Sequence, residues 1–225
     1  MAHIRTEILD GTAVIWLSRP PVNALDAEMV RELRAAFEGY AANPPSHGVV
    51  LTHDGSVFCG GVDVKAVPAY SHDQRRSMAG DINAMITALY GLPTATVAAI
   101  NGHAIGAGFV LMLACDVRLA VSGGAKLALT EVTAGVPYPA GPLEVVRAEL
   151  DPNQARRLVL TGDPITPHEA REYGIVDETP SAEVLLLRAI ELAQVRSEAS
   201  AYRVVKQQLR GAALERLRAL PPEPW

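Results

Sequence analysis

Two glycine-rich segments place small residues where backbone N–H groups could meet a bound molecule. Residues 57–65 read VFCGGVDVK, and residues 99–108 read AINGHAIGAG. Because glycines remove side-chain obstruction, the N–H groups of Val62 and Ala107 could donate to a ligand oxygen and stabilise negative charge that develops on it. Taken alone, each pattern is more often a tight turn or close packing of a helix on a sheet.

Glu131 is a carboxylate that could act as a base. It lies in the segment LALTEV at residues 127–132, which is otherwise largely apolar. Partial loss of hydration there would raise the pKa of Glu131 and strengthen it as a base. Taken alone, a carboxylate in this position is more often an N-cap or a surface group at the end of a strand.

Both glycine segments resemble signatures of the crotonase superfamily, the enoyl-CoA hydratases and isomerases. They match the patterns F-x-x-G-x-D-[ILV]-K and N-G-x-A-x-G-[GA]-G. The likeness continues in PVNAL at residues 21–25, LACDVR at 113–118, LTE at 129–131 and LVLTG at 158–162. The resemblance covers nearly the whole chain, and only the C-terminal end looks shorter than in the family.

The resemblance implies an α/β fold, a crotonase-like spiral of ββα units with a helical C-terminal region. Residues 1–150 would form the spiral core and residues 151–225 the helical region of a single domain. Members of the family bind an acyl-CoA and assemble as homotrimers or dimers of trimers. Because CoA is part of that substrate, no separate cofactor is expected.

The same resemblance assigns roles to individual positions. The N–H groups of Val62 and Ala107 would form an oxyanion hole for the thioester carbonyl, and Glu131 would act on the substrate as a base. The other positions expected to contact substrate are Asn23, Ala24, Gly61, Asp63, Val64, Gly106, Gly108, Val110 and Tyr138.

The carboxylate pattern favours an isomerase. Hydratases of the family use two glutamates, and the chain has Val110 at the first position and Glu131 at the second. A lone glutamate opposite an aliphatic residue resembles the pattern of Δ3,Δ2-enoyl-CoA isomerases. Such an enzyme would remove a proton from C2 of a 3-enoyl-CoA and return it at C4.

Three alternatives stay open from the sequence. A hydratase is possible if Glu144 or Glu149 enters the pocket and supplies the second carboxylate. The segment GVPY at residues 135–138 resembles methylmalonyl-CoA decarboxylase, in which case Tyr138 would bind a substrate carboxylate. The non-enzymatic hypothesis is a scaffold that binds CoA without turnover, because a fold alone does not prove a chemical activity.

The elements that must position these residues follow from hydrophobic patterning. Residues 4–17 surround the turn signal Asp10-Gly11 and predict a hairpin, and Asp26 is a candidate N-cap for the next helix. The β-branched runs at residues 49–52 and 96–100 predict buried strands, with a helix near residues 75–89 between them. A strand, a helix and a strand in this order predict neighbouring parallel strands.

Composition narrows the classes of partner. The chain has 225 residues with a formal charge of −5, and its lysines and arginines are dispersed, which argues against nucleic acid as a partner. Polar and glycine interruptions argue against a membrane span. Cys59 and Cys115 form no metal-binding or disulfide pattern, so we expect no metal, reduced thiols and a cytoplasmic location. The proline-rich tail at residues 221–224 is expected to fray.

Overall fold

The computed structural model of the protein describes residues 2–221, so most of the proline-rich tail lies outside the described residues. The strands are β1 (Ile4–Leu9), β2 (Thr12–Leu17), β3 (Val49–His53), β4 (Val57–Cys59), β5 (Thr96–Ile100), β6 (His103–Ile105), β7 (Val117–Ala120) and β8 (Leu127–Ala128). The α-helices are α1 (Ala27–Ala42), α2 (His72–Tyr90), α3 (Ala107–Leu113), α4 (Glu131–Ala134), α5 (Ala140–Glu149), α6 (Pro152–Thr161), α7 (Pro167–Glu172), α8 (Ala182–Ser197) and α9 (Tyr202–Arg218).

The predicted N-terminal hairpin is confirmed. Strands β1 and β2 pair antiparallel from Ile4 opposite Leu17 to Leu9 opposite Thr12. The two turn residues, Asp10 and Gly11, have φ values of 47° and 78°. Positive φ at both positions is the turn geometry whose twist matches a two-residue hairpin, and Asp and Gly are residues that tolerate it.

Three ββα units follow the hairpin and α1. Each unit adds one strand to a five-stranded sheet, ordered β1-β2-β3-β5-β7, and one to a three-stranded sheet, ordered β4-β6-β8, before its helix begins. All neighbours are parallel except β1 and β2, as the strand–helix–strand pattern predicts. The predicted α/β fold, a spiral of ββα units, is confirmed.

Strands β2, β3, β5 and β7 are buried on both faces, which explains their largely apolar sequences, whereas β1 at the edge of the sheet is mostly exposed. Along β2, Ala13, Ile15 and Leu17 face the larger core formed with α1, α2 and α3. The alternate residues Val14 and Trp16 face a second core. That second core is closed by α8, so a helix of the C-terminal region covers the outer face of the sheet.

Capping residues set where the first two long helices begin. Asp26 accepts a hydrogen bond from the Met29 N–H, so the predicted N-cap of α1 is confirmed. Helix α2 begins at His72, three residues before the predicted start, because Ser71 and Gln74 form a reciprocal capping box.

Buried ion pairs join the last helix to the spiral. Lys206 and Arg210 of α9 lie 2.7 and 3.0 Å from the carboxylate oxygens of Asp116, at the end of the turn that precedes β7. Among residues 152–221 the α-helices are α6, α7, α8 and α9. No helix among the described residues has the length and apolar character needed to cross a membrane.

Candidate active site

The three-stranded sheet brings the predicted site segments to one edge. Strand β6 lies between β4 and β8, with Cys59 opposite Ala104 and Ala104 opposite Leu127. All three strands are parallel, so their carboxyl ends meet at the same edge, where ligands bind in open parallel sheets. Val62, Ala107 and Glu131 follow these strand ends within two or three residues.

Glycine at position 61 lets the first turn approach the start of α3. Its φ is +84°, and a methyl group on it would lie 2.9 Å from the Ile105 carbonyl oxygen and 3.6 Å from the Ala107 nitrogen. The peptide that carries the Val62 N–H therefore lies beside the N–H of Ala107. Any larger residue at position 61 would force the two segments apart.

The Val62 N–H is left free by the way its turn is anchored. Leu25 donates to the Gly61 carbonyl oxygen at 2.8 Å and accepts from the Asp63 N–H at 2.8 Å. In this parallel bridge, the groups on either side of Val62, the Gly61 carbonyl oxygen and the Asp63 N–H, both bond to Leu25. The N–H of Val62 itself therefore points away from Leu25. Within residues 2–221, that N–H has no hydrogen-bond acceptor.

The Ala107 N–H is left free for a different reason. Ala107 is the first residue of α3, and the first N–H groups of a helix have no carbonyl within the helix to bond. No other acceptor among the described residues reaches it. Two unpaired N–H groups on adjacent segments can together stabilise negative charge on one oxygen atom.

Glu131 stands beside these two segments. It is the first residue of α4 and partly buried, and its Oε1 lies 3.3 Å from the position that a methyl group on Gly106 would occupy. Burial raises the pKa of Glu131 above its usual value, and the neighbouring Tyr138 hydroxyl offsets part of that rise. A carboxylate with a raised pKa next to two free N–H groups can move a proton on a molecule held there.

Tyr138 faces the Glu131 carboxyl group from the segment before α5. The Tyr138 hydroxyl and Glu131 Oε2 are both buried, and neither makes a hydrogen bond of regular geometry with another described residue. Burial and the nearby carboxylate raise the pKa of the Tyr138 hydroxyl, so the phenol is neutral.

The other candidate carboxylates are engaged elsewhere. Val110 is fully buried in the larger core and has no ionisable group. Glu144 accepts from Arg216 of α9 at 2.7 Å. Glu149 accepts from the Tyr90 hydroxyl at 2.8 Å and pairs with Arg118 and Arg210. The structure therefore brings neither Glu144 nor Glu149 to the carboxylate of Glu131.

The loop at residues 19–25 uses its polar side chains internally. Asn23 is 3% exposed, donates to the carbonyl oxygens of Asp54 and Val57, and accepts from the Arg19 N–H. Ala24 is buried, and its carbonyl oxygen accepts from Arg19. The predicted contacts of Asn23 and Ala24 with substrate stay predictions, and they would have to use backbone atoms or the Ala24 methyl group.

Asp63 is also held by its neighbours. It accepts from Arg19 at 2.8 Å and from the N–H groups of Lys65 and Ala66. Burial disfavours its charge, but these donors hold the pKa of Asp63 below its usual value. Val64, the next residue, is 63% exposed and free to meet a ligand.

Two glycines of the second segment are required by packing or conformation. A methyl group on Gly108 would collide with the backbone of Cys59, and Gly106 has a φ of +53°.

Cys59 itself is fully buried, and burial raises the pKa of its thiol to about 12, so it is no nucleophile.

Arg19 is a residue beside the site that the sequence analysis did not identify. It bonds to Asp63, pairs with Asp26 at 3.0 Å, and donates to the Ala24 carbonyl oxygen, so it joins three points around the Val62 turn. The sequence offers no signal for this role, because Arg19 and Asp63 are 44 positions apart.

Comparisons with known proteins identify the family of this chain. Residues 7–220 match the family model described as enoyl-CoA hydratase/isomerase. The chain is 36% identical over 183 residues to the putative enoyl-CoA hydratase/isomerase YngF of Bacillus subtilis, covering 80% of this chain and 70% of that protein. It is 34% identical over 170 residues to the probable enoyl-CoA hydratase EchA17 of Mycobacterium bovis, covering 75% and 64%.

A solved structure supports the same relationship. The probable enoyl-CoA hydratase EchA3 of Mycobacterium tuberculosis superimposes with a TM-score of 0.88 at 26% identity, covering 96% of this chain and 92% of that one. The aligned part of this chain spans about two thirds of the curated relatives' length. Enzymes of this family bind acyl-CoA substrates. The protein belongs to the enoyl-CoA hydratase/isomerase family of the crotonase superfamily.

Proposed function

We propose that the protein is an isomerase that shifts the double bond of a 3-enoyl-CoA to the 2-position. The observation that carries this proposal is one partly buried carboxylate, Glu131, beside two unpaired N–H groups, with no second carboxylate brought to it among the described residues. A 1,3-proton shift needs one group that both accepts and returns a proton, and Glu131 can do both.

The reaction would proceed in two proton transfers. The Glu131 carboxylate takes a proton from C2, and the electron pair of that C–H bond delocalises into a dienolate whose oxygen accepts from the Val62 and Ala107 N–H groups. Glu131 then returns the proton at C4, and the double bond stands between C2 and C3. One such N–H donor is typically worth about 2.7 to 4 kcal/mol of transition-state stabilisation.

The surroundings of Glu131 suit this task. An α-proton of a thioester is only weakly acidic, so a base with a raised pKa removes it more readily. Burial supplies that rise, and no cation is within ion-pairing distance of Glu131 among residues 2–221 to cancel it. The loops that carry Asn23, Ala24, Asp63 and Val64 would flank the CoA moiety.

Hydration of a 2-enoyl-CoA is the second candidate, because several similar proteins are named hydratases. Water addition needs one group to orient and deprotonate water and a proton donor for C2. Val110 cannot exchange a proton, and Glu144 and Glu149 are held in ion pairs with other helices. Decarboxylation ranks lower, since the Glu131 charge would repel a substrate carboxylate.

Two substrates separate these reactions. We expect 3-hexenoyl-CoA to be converted to the conjugated 2-hexenoyl-CoA without a gain of mass, followed by ultraviolet absorbance and mass spectrometry. A hydratase would instead convert 2-hexenoyl-CoA to a product heavier by one water. A scaffold would bind both thioesters and change neither, which would refute the proposal.

The first prediction concerns Glu131→Gln, which keeps the shape of the side chain and removes its basicity. We expect turnover of 3-hexenoyl-CoA to fall at least 100-fold, consistent with typical acid–base contributions of about 10² to 10⁴. CoA binding, measured by calorimetry, should be unchanged. Glu144→Gln is the matched control and should retain activity; equal losses in both variants would contradict a role specific to Glu131.

A further inference from the structure

Two buried polar atoms in the site lack regular hydrogen bonds, and they face each other. Glu131 Oε2 and the Tyr138 hydroxyl are both excluded from solvent. The chain between them turns back on itself, since the Val136 N–H bonds to the Glu131 carbonyl oxygen at 3.0 Å, and the Tyr138 hydroxyl lowers the pKa of Glu131. Unsatisfied buried polar atoms cost free energy, and natural proteins keep few of them unless they have a use.

The two oxygens of the Glu131 carboxyl group have different surroundings. Oε1 is the oxygen beside Gly106, 3.3 Å from the position that a methyl group there would occupy, and Gly106 directly precedes Ala107. Oε2 is the oxygen that is buried without a hydrogen-bond partner, as is the Tyr138 hydroxyl. Because α3 begins with the Ala107 N–H directly after Gly106, Oε1 lies on the side of the carboxyl group from which a bound thioester would be reached.

The chain fixes Tyr138 firmly in this place. Gly135 closes α4 with a φ of +70°, and the Val136 N–H bonds back to the Glu131 carbonyl oxygen at 3.0 Å. On the other side, the Gly141 N–H bonds to Asn83 at 2.8 Å and anchors the start of α5. The Tyr138 ring packs against the larger core, so its hydroxyl has a defined position.

We propose that Tyr138 is a positioning residue for Glu131, whose hydroxyl donates to Oε2 in the substrate complex and thereby keeps Oε1 turned toward C2 of the substrate. This inference rests on the proposed function of Glu131. A hydrogen bond to one carboxylate oxygen restricts rotation of the group, and small displacements of a reacting atom cost large factors in rate. Tyr138 is not itself expected to exchange a proton with substrate.

A positioning role and a purely structural role of the hydroxyl predict opposite changes in stability when the hydroxyl is removed. Replacing Tyr138 with Phe removes a buried hydroxyl that lacks a regular hydrogen bond in the unliganded protein and keeps the ring in the core. We therefore expect the variant to unfold at the same or a higher temperature than the wild type. A hydroxyl that held the fold together would instead lower that temperature when removed.

The pH dependence of activity supplies a second readout. Tyr138 and Thr130 are polar side chains near the Glu131 carboxyl group, and no Lys, Arg or His side chain among the described residues lies within ion-pairing distance of it. The Tyr138 hydroxyl lowers the pKa of Glu131. Because the base must be ionised, loss of the hydroxyl should move the acid limb of the rate profile to higher pH.

The test compares wild type, Tyr138→Phe and Tyr173→Phe with 3-hexenoyl-CoA. Tyr173 is a partly buried tyrosine remote from the site, whose hydroxyl accepts from Arg157 at 2.7 Å. For Tyr138→Phe we expect kcat to fall about 10- to 100-fold with KM nearly unchanged. Its acid limb should shift upward while its unfolding temperature does not fall. Tyr173→Phe should keep the wild-type kcat and acid limb.

The possible failures are distinct. If the wild type itself does not isomerise the substrate, the proposed function fails first. If the wild type is active and Tyr138→Phe matches it in kcat and acid limb, only the positioning role is overturned. A fall in activity that accompanies a lower unfolding temperature, with the acid limb unchanged, would show that the hydroxyl is structural and would also overturn it.

Discussion

Gly61 illustrates how a single missing side chain lets two strand ends share a site. Its positive φ strains any other residue, and its hydrogen faces the Ile105 carbonyl oxygen and the Ala107 nitrogen. A second glycine, Gly55, has nearly the same φ, +87°, but nothing lies within 4 Å of the position that a side chain would occupy. Comparing Gly61 with Gly55 therefore separates the effect of backbone strain from the effect of the close approach between the two segments.

The prediction at this scale uses that pair. Gly61→Ala and Gly55→Ala should both destabilise the protein by about 1–3 kcal/mol through the left-handed backbone, measured by urea unfolding. Only Gly61→Ala should also displace the Val62 N–H from Ala107. We expect it to lower kcat on 3-hexenoyl-CoA at least tenfold, because one N–H donor is worth about 2.7 to 4 kcal/mol.

A kcat for Gly61→Ala equal to that of Gly55→Ala would show that the approach of the two turns does not matter for turnover. That result would remove the Val62 N–H from the proposed mechanism and leave Glu131 untouched.

At the scale of elements, the Val62 turn owes its shape to the loop before α1. Leu25 forms a parallel bridge with Val62, and Arg19 joins Asp26, at the N-cap of α1, to Asp63 on the turn. The turn is thus fixed from outside the three-stranded sheet. An arginine suits this task because its planar fork can donate to several acceptors at once.

Arg19→Gln should loosen the turn more than it weakens the fold. Arg34 is the matched control, since it also bridges two carboxylates, Glu38 and Asp81, and lies away from the site. We expect Arg19→Gln and Arg34→Gln each to lower the free energy of unfolding by at most about 1–3 kcal/mol, measured with urea. Arg19→Gln alone should lower kcat about tenfold, and equal kcat values in both variants would contradict a positioning role for Arg19.

At the scale of the whole molecule, buried charges hold the last helix on the spiral. Asp116 accepts from Lys206 at 2.7 Å and from the Thr96 N–H at 2.8 Å, and it pairs with Arg210. Burial disfavours the charge of Asp116, but the two cations hold its pKa below the usual value. Breaking such a buried group by removing one partner leaves the others unpaired.

Asp116→Ala should therefore destabilise the protein by about 3–5 kcal/mol in urea unfolding at pH 7. Asp73→Ala, whose side chain is 94% exposed, is the control and should change little. A group with a lowered folded pKa stabilises the protein above its unfolded pKa, and that stability is lost as pH falls through the folded pKa. The difference between wild type and Asp116→Ala should accordingly shrink below about pH 4.

Local sequence patterns were sufficient to predict most of the helices and strands. The hairpin, the N-cap of α1 and the buried strands depend on turn residues, capping side chains and apolar runs, which are properties of adjacent positions. The start of α2 was misplaced by three residues because the capping box of Ser71 and Gln74 precedes its apolar stripe. A cap is a local signal too, so that boundary was within reach of the sequence.

By itself, the sequence determined the family, the order of the ββα units and which residues could donate or accept a proton. Only the tertiary structure decided that Glu144 and Glu149 belong to ion pairs with other helices, that Arg19 braces the Val62 turn, and that Tyr138 faces Glu131. The physical reason is distance along the chain. Backbone conformation is set by near neighbours, whereas a charged or hydroxyl group finds its partner through packing between elements that are far apart in sequence.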